Sequence, residues 1–278
     1  MNKIISSFML VILVNIMGCD PGKTPPATAI DVAKVIEIPL QNVDAPNAET
    51  MLSENPGALA VTPGYEDELP DGPTSFDVSP DGGFVITDPL QSRIVFYDAN
   101  GAFSSEKTMD FAPTRLQLLD APGDILIERR GTEDYYIVSG SADTAQTTDA
   151  QQIARFEKHR NAKLNDRNSG TVSPDGKSPI TVTFENDSLF LISVQLIGTM
   201  GEQTFVLLET TSGNVPITVH RFLRIYDASG KWSANIAGLD EDHHVFPDDE
   251  FRLSNGKLYQ MSPGTETLRI QVWDVKQP

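Results

Sequence analysis

Two adjacent histidines, His243 and His244, stand between Asp240-Glu241-Asp242 and Asp248-Asp249-Glu250 in the stretch GLDEDHHVFPDDE. Imidazole nitrogens and carboxylate oxygens are the usual ligands of zinc and similar divalent ions, so His243, His244, Asp242 and Asp248 form the candidate metal set. An ion held there would serve hydrolysis or elimination by polarising a substrate oxygen or activating water. Neighbouring side chains on extended backbone point opposite ways, so both imidazoles reach one ion only if the loop curls. The spacing is not H-x-x-x-H, and no D-x-D-x-D-G calcium loop is present. An exposed loop between strands is the other reading of this stretch. His220, beside Val219, reads as a strand residue, and His159 belongs to a basic segment.

Other reactive arrangements are absent from the sequence. There is no G-x-S-x-G elbow, because Gly140-Ser141-Ala142 has the wrong neighbours, and there is no phosphate-binding or dinucleotide glycine loop. Asp77, Glu185 and Arg252 fall on or near strands and are the charged residues that could converge on a central channel.

Arg155, Lys158, Arg160 and Lys163, with His159 and Arg167 close by, cluster in a chain that carries 39 Asp and Glu against 21 Lys and Arg, a formal charge of -18. A basic cluster on that background is a candidate docking site for an acidic partner or anionic headgroups. A solvated helix face paired with Glu157 and Asp166 is the alternative. The overall charge excludes a nucleic-acid binder, whose affinity comes from neutralising phosphates.

Cys19 is the single cysteine, so no intramolecular disulfide can form. Before it lie Lys3 and an apolar run from Phe8 to Val14, shorter than the roughly 20 residues that a spanning helix needs, in the layout of a secretory signal. Ile16, Gly18 and Cys19 resemble the end of a bacterial lipoprotein signal, with an aliphatic residue three places and a small one immediately before the lipidated cysteine. That resemblance implies cleavage after Gly18 and acyl chains on Cys19, a stable membrane anchor without a spanning segment. Asp20 resembles an inner-membrane retention signal. Residues 19–33, with three prolines after Asp20, suit a flexible tether.

The elements that must position these groups are short strands. In PTSFDVSPDGGFVITDPLQSRIVFYDANGAF, residues 73–103, three strand-like runs are separated by Pro80-Asp81-Gly82 and by Asp88 to Ser92, and end at Asn100-Gly101. Arg93 to Gly101 is echoed by Phe222 to Gly230 and by Arg269 to Asp274. Phe76-Asp77-Val78-Ser79 is echoed by Leu116-Gln117-Leu118-Leu119 and by Phe251-Arg252-Leu253-Ser254, and Val172 to Gly176 repeats Val78 to Gly82 residue for residue. Units of about 40 residues built from alternating strands mark a propeller. The expectation is an all-β chain: a single β-propeller of six blades, each a four-stranded antiparallel sheet, over residues 34–278, with an insertion at about 142–168. Lys34 to Leu40, with Ile36, Ile38 and Leu40 on one face, should close the ring by pairing with Arg269 to Asp274. Residues 41–71 read as a loop or an irregular first blade, and Ile180 to Glu185 and Leu189 to Leu196 as strands joined by the turn Asn186-Asp187-Ser188.

Gly72-Pro73, Asp81-Gly82, Asp88 and Arg93 to Asp98 followed by Gly101 resemble the NHL-type repeat of six-bladed propellers, as does RIQVWD at 269–274. The resemblance implies a binding scaffold or, in related propellers, a metal-dependent hydrolase or lyase. Nothing convergent and reactive is visible in the sequence, so the expectation is a monomeric envelope lipoprotein. Its propeller would lie on the extracytoplasmic side of the membrane and bind a protein, peptide or glycan without a cofactor. The metal-dependent enzyme is the alternative.

Overall fold

The computed structural model describes residues 28–44, 54–64, 68–121, 123–139, 144–157, 162–213 and 215–275. Cys19, Lys158 and Arg160 lie outside them.

Alternating apolar residues and glycine turns build antiparallel strands that repeat along the chain. Strands β4 (Phe76–Val78), β5 (Phe84–Asp88), β6 (Arg93–Tyr97) and β7 (Phe103–Thr108) pair in sequence order, as do β8 (Pro113–Leu118), β9 (Ile125–Arg129), β10 (Tyr135–Val138) and β11 (Thr144–Thr147). A three-stranded sheet follows: β12 (Ala162–Asp166), β13 (Ser169–Val172) and β14 (Ile180–Thr183). The fourth contains β15 (Phe190–Met200), β16 (Gln203–Thr211), β17 (Val219–Tyr226) and β18 (Trp232–Ile236). The fifth contains β19 (Phe251–Ser254), β20 (Lys257–Pro263) and β21 (Thr267–Asp274). A short helix, α1 (Ala150–Glu157), interrupts the array.

The recurrent turn has a mechanism. Asp98 Oδ1 accepts hydrogen bonds from the backbone N–H groups of Asn100 (2.8 Å) and Ala102 (2.9 Å), and Gly101 takes a φ of 83°. Asp227 does the same for Ser229 (2.9 Å) and Lys231 (3.0 Å) with Gly230 at 77°. An aspartate at the first position and a residue free to adopt positive φ at the fourth therefore end β6 and β17 in the same way.

Buried clusters fill the spaces between neighbouring sheets. Phe76, Phe84, Ile86 and Val95 meet Tyr259, Met261 and Ile270 between the first and fifth sheets. Val85 and Ile94 meet Leu116 and Ile127 between the first and second. Phe205 and Leu223 meet Phe251 and Trp273 between the fourth and fifth, and Val172 and Val182 meet Val194 and Val206 between the third and fourth. Sheets that pack face to face in this order form a β-propeller.

The N-terminal strand behaves as its pattern requires. Strand β2 (Lys34–Asn42) pairs antiparallel with β21, Lys34 opposite Val272 and Pro39 opposite Thr267, burying Ile36, Ile38 and Leu40. Other boundaries differ from expectation. The described residues form five sheets rather than six. Residues Thr28–Ile30 are not part of a tether but form β1, parallel to β18. The insertion is narrower than 142–168, because β11 completes the second sheet and β12 begins the third. Strands β14 and β15 are not a hairpin, since the Asn186 turn carries the chain from one sheet to the next. Within 41–71, β3 (Leu59–Val61) runs parallel to β2. It is held by Asp88, near the Ala60 N–H, and by Arg93, whose guanidinium donates to the Pro56 and Ala58 carbonyls.

Candidate functional site

Strands β4, β8, β15 and β19 are the inner strands of the first, second, fourth and fifth sheets, and residues from all four line a central cavity of about 350 Å³. They run in the same direction. The Ser75 hydroxyl faces Leu116 and Asp249, while Asp77 lies beside Leu118 and Arg252. The channel thus has an entry face, where the inner strands begin, and an exit face, where they end.

Side-chain alternation explains which residues reach the axis. In β4, Phe76 turns into the space between sheets, so Ser75 and Asp77 turn to the channel. Leu116 and Phe251 occupy the equivalent place, which directs Arg115 and Arg252 inward. Asp249, 5% exposed, is the hub. Its carboxylate accepts from Ser75 Oγ (2.8 Å), Arg252 Nη2 (3.0 Å) and Arg115 (3.4 Å). Arg252 also lies 3.7 Å from Asp77, and Arg115 lies 3.6 Å from Glu128. Beside the hub, Glu250 pairs with Arg221, accepts from Gln260 and lies 3.2 Å from His243 Nε2.

Burial alone would raise the Asp249 pKa, but the guanidiniums of Arg252 and Arg115 and the Ser75 hydroxyl hold it well below the ordinary carboxylate range. Asp77 goes the other way: its burial outweighs the pull of Arg252 and the N–H groups of Leu118 and Val78. Burial also raises Asp248, which the Thr114 hydroxyl offsets only in part. Burial would raise Glu250 too, yet the close approach of His243 Nε2 and the Arg221 guanidinium leave it lowered. The acids at the centre are thus committed to arginines and hydroxyls, which neutralises the axis and fastens the inner strands together.

A small space of about 100 Å³ between Arg115, Asp248 and Arg252 connects this network to the entry face. There a wider groove of about 630 Å³ lies among Leu69, Asp71, Arg130, His244, Phe246 and Asp248. Leu69 and Phe246 are 88% and 80% exposed, respectively, and Arg130 pairs with Asp71 across the groove.

The four residues of the metal set are not brought together. His243 turns inward to Glu250, whereas His244 turns the opposite way, its Nε2 3.2 Å from the Thr62 carbonyl oxygen. Asp242 is in solvent, and Asp248 accepts a 3.2 Å hydrogen bond from Thr114 Oγ1. The two adjacent imidazoles leave the chain toward different partners, one to Glu250 and one to the Thr62 carbonyl, so they do not converge. Among the described residues no group of three or more His, Cys, Asp or Glu is disposed to hold a metal. In the basic cluster, Arg155 falls on α1 and Lys163 is exposed on β12. Asp77 and Arg252 do face the channel, while Glu185 is exposed just beyond β14 and His220 is exposed on β17.

Sequence reading missed Ser75, Arg115 and the central place of Asp249. The repeat itself carries a signal for the first two. Pro73-Thr74-Ser75 and Pro113-Thr114-Arg115 occupy equivalent positions, and both third residues reach Asp249.

No protein-family model and no curated protein sequence matches the chain. Solved structures that resemble it include virginiamycin B lyase from Staphylococcus aureus, at 7% identity over 73% of this chain and 94% of that one, with a TM-score of 0.37. Another is BamB from Moraxella catarrhalis, at 9% identity over 77% and 88%, TM-score 0.33. A luciferin-regenerating enzyme is similar at 8% identity over 72% and 90%, TM-score 0.36.

Proposed function

We propose that this chain is an envelope lipoprotein, anchored through Cys19, whose propeller binds a protein, peptide or glycan at its entry face without catalysing a reaction. The observation that carries the reading is the channel. Its buried acids and arginines satisfy one another around Asp249, and the groove rimmed by exposed Leu69 and Phe246, about 630 Å³, is wider than the channel cavity of about 350 Å³. A concave, partly apolar groove with a few convergent polar groups is suited to holding a ligand.

The course of the N-terminus supports the anchor. Strand β1 runs parallel to β18, from the exit side toward the entry side, so Thr28 stands at the exit face. A lipid on Cys19 would then put the membrane at the exit face and turn the groove away from it. Elemental mass spectrometry of the purified protein, dialysed without chelator, tests the non-catalytic reading. The expected metal content is far below one ion per chain and the same in a His243→Ala, His244→Ala variant. One bound ion per chain, lost in that variant, would replace this reading with the metal-dependent enzyme.

A further inference from the structure

Inner strand β15 begins well above its neighbours. Gln195 and Ile197 stand level with Arg115 and Phe251 at the channel, so Phe190 lies about five residues, or roughly 16 Å, beyond that level on the entry side. Strands β16 and β17 extend with it, Phe190 opposite Thr211 and Thr211 opposite Val219. Strand β18 does not follow. It pairs only with Leu223, Arg224, Ile225 and Tyr226, which leaves the outer edge of β17 from Val219 to Phe222 with no strand beside it among the described residues. The segment leading to that edge displays Val215, Ile217 and Val219, 92%, 71% and 41% exposed. Ile217 and Val219, at alternate positions, continue the face on which Arg221 binds Glu250.

We infer that this edge is a strand-addition site for an extended segment of a partner protein. The edge offers main-chain donors and acceptors, and the apolar row beside it fits alternate side chains of an added strand. The inference rests on the binding reading above and names the partner's form. The anchoring membrane is the wrong occupant, because β1 puts Thr28, the described residue nearest Cys19, at the exit face, whereas this edge projects from the entry face. A second copy is disfavoured twice. Antiparallel pairing of two β17 edges through a two-fold axis would send the two N-termini in opposite directions, and chains of charge -18 repel each other. That same charge favours a segment with basic residues at its ends.

The test uses a fluorescein-labelled peptide, Lys-Val-Thr-Val-Thr-Val-Thr-Val-Lys, and the same peptide N-methylated at alternate residues, with binding followed by anisotropy. The expected result is saturable binding of the first, at least ten-fold weaker binding of the methylated one, and at least ten-fold weaker binding of the first to an Ile217→Ser, Val219→Ser variant with unchanged circular dichroism. Equal binding of both peptides would make the patch a simple apolar surface and overturn strand addition. No binding would also overturn it. In that case, a dimer in sedimentation that the variant abolishes would assign the edge to a second copy, and binding to phosphatidylglycerol vesicles would assign it to lipid. The metal measurement above is independent, so failure here leaves the binding reading to stand or fall separately.

Discussion

Replacing Asp249 by alanine removes the acceptor shared by Arg252 on β19, Arg115 on β8 and Ser75 just before β4. Breaking a buried ion pair by deleting one partner costs about 3–5 kcal/mol, because the other charge is left uncompensated. Here Asp77 still lies 3.7 Å from Arg252 and Glu128 lies 3.6 Å from Arg115, so the expected loss is at the low end, about 3 kcal/mol. For a domain of this size that lowers Tm by about 6–12 °C. Differential scanning calorimetry at pH 7 measures it, and the Asp249→Ala, Arg252→Met double variant should recover part of the loss by removing the stranded cation. The pH dependence has a definite sign. The folded-state pKa of Asp249 is depressed, so its contribution is present in full above the unfolded carboxylate range and is lost as pH falls through the folded value. The deficit of the variant should therefore be constant above about pH 5 and shrink below about pH 4. A change in Tm under 2 °C would refute the claim that this network fastens the inner strands.

Asp88 should behave in the opposite way. Burial pushes its pKa up to about 6 despite Arg93 Nε at 2.8 Å, so the folded chain holds an extra proton that the unfolded chain releases. Wild type should gain stability relative to Asp88→Asn as pH falls from 7 toward 4.5 in urea titrations, and a flat difference would contradict this. Ile38, fully buried in the closing strand, should cost about 3 kcal/mol on change to alanine, while Val35, 47% exposed on the same strand, should shift stability by no more than about 0.5 kcal/mol; urea denaturation of both distinguishes a true closure from a loose one. Gly101 and Gly131 both have a positive φ, 83° and 75°, but Gly101→Ala places a Cβ 2.6 Å from Ile36 Cγ2 whereas Gly131→Ala meets nothing within 4 Å, so the first should melt several degrees lower than the second.

The parts of the fold that were legible in the sequence are those written locally. The turn of Asp98 to Gly101 and its echo at Asp227 are set by side-chain hydrogen bonds within four residues. The closing strand was legible because Ile36, Ile38 and Leu40 alternate cleanly over one face. Strands β1 and β3 were not, since three residues carry no period, and their partners lie far along the chain. The Asn186 turn misled because the same turn residues serve a hairpin and a passage between sheets. The channel network was the hardest to read. Ser75 and Asp249 are 174 positions apart, and only the superposition of repeats on one axis brings them to hydrogen-bond distance.

The claim that the entry face is the working surface is tested most directly by placing a photo-crosslinking amino acid at Phe246 or at Asp81, on the exit side of β4, in cells that make the protein. The account predicts one discrete adduct from position 246 and none from position 81. Equal adducts at both positions, or an adduct at 81 alone, would contradict it.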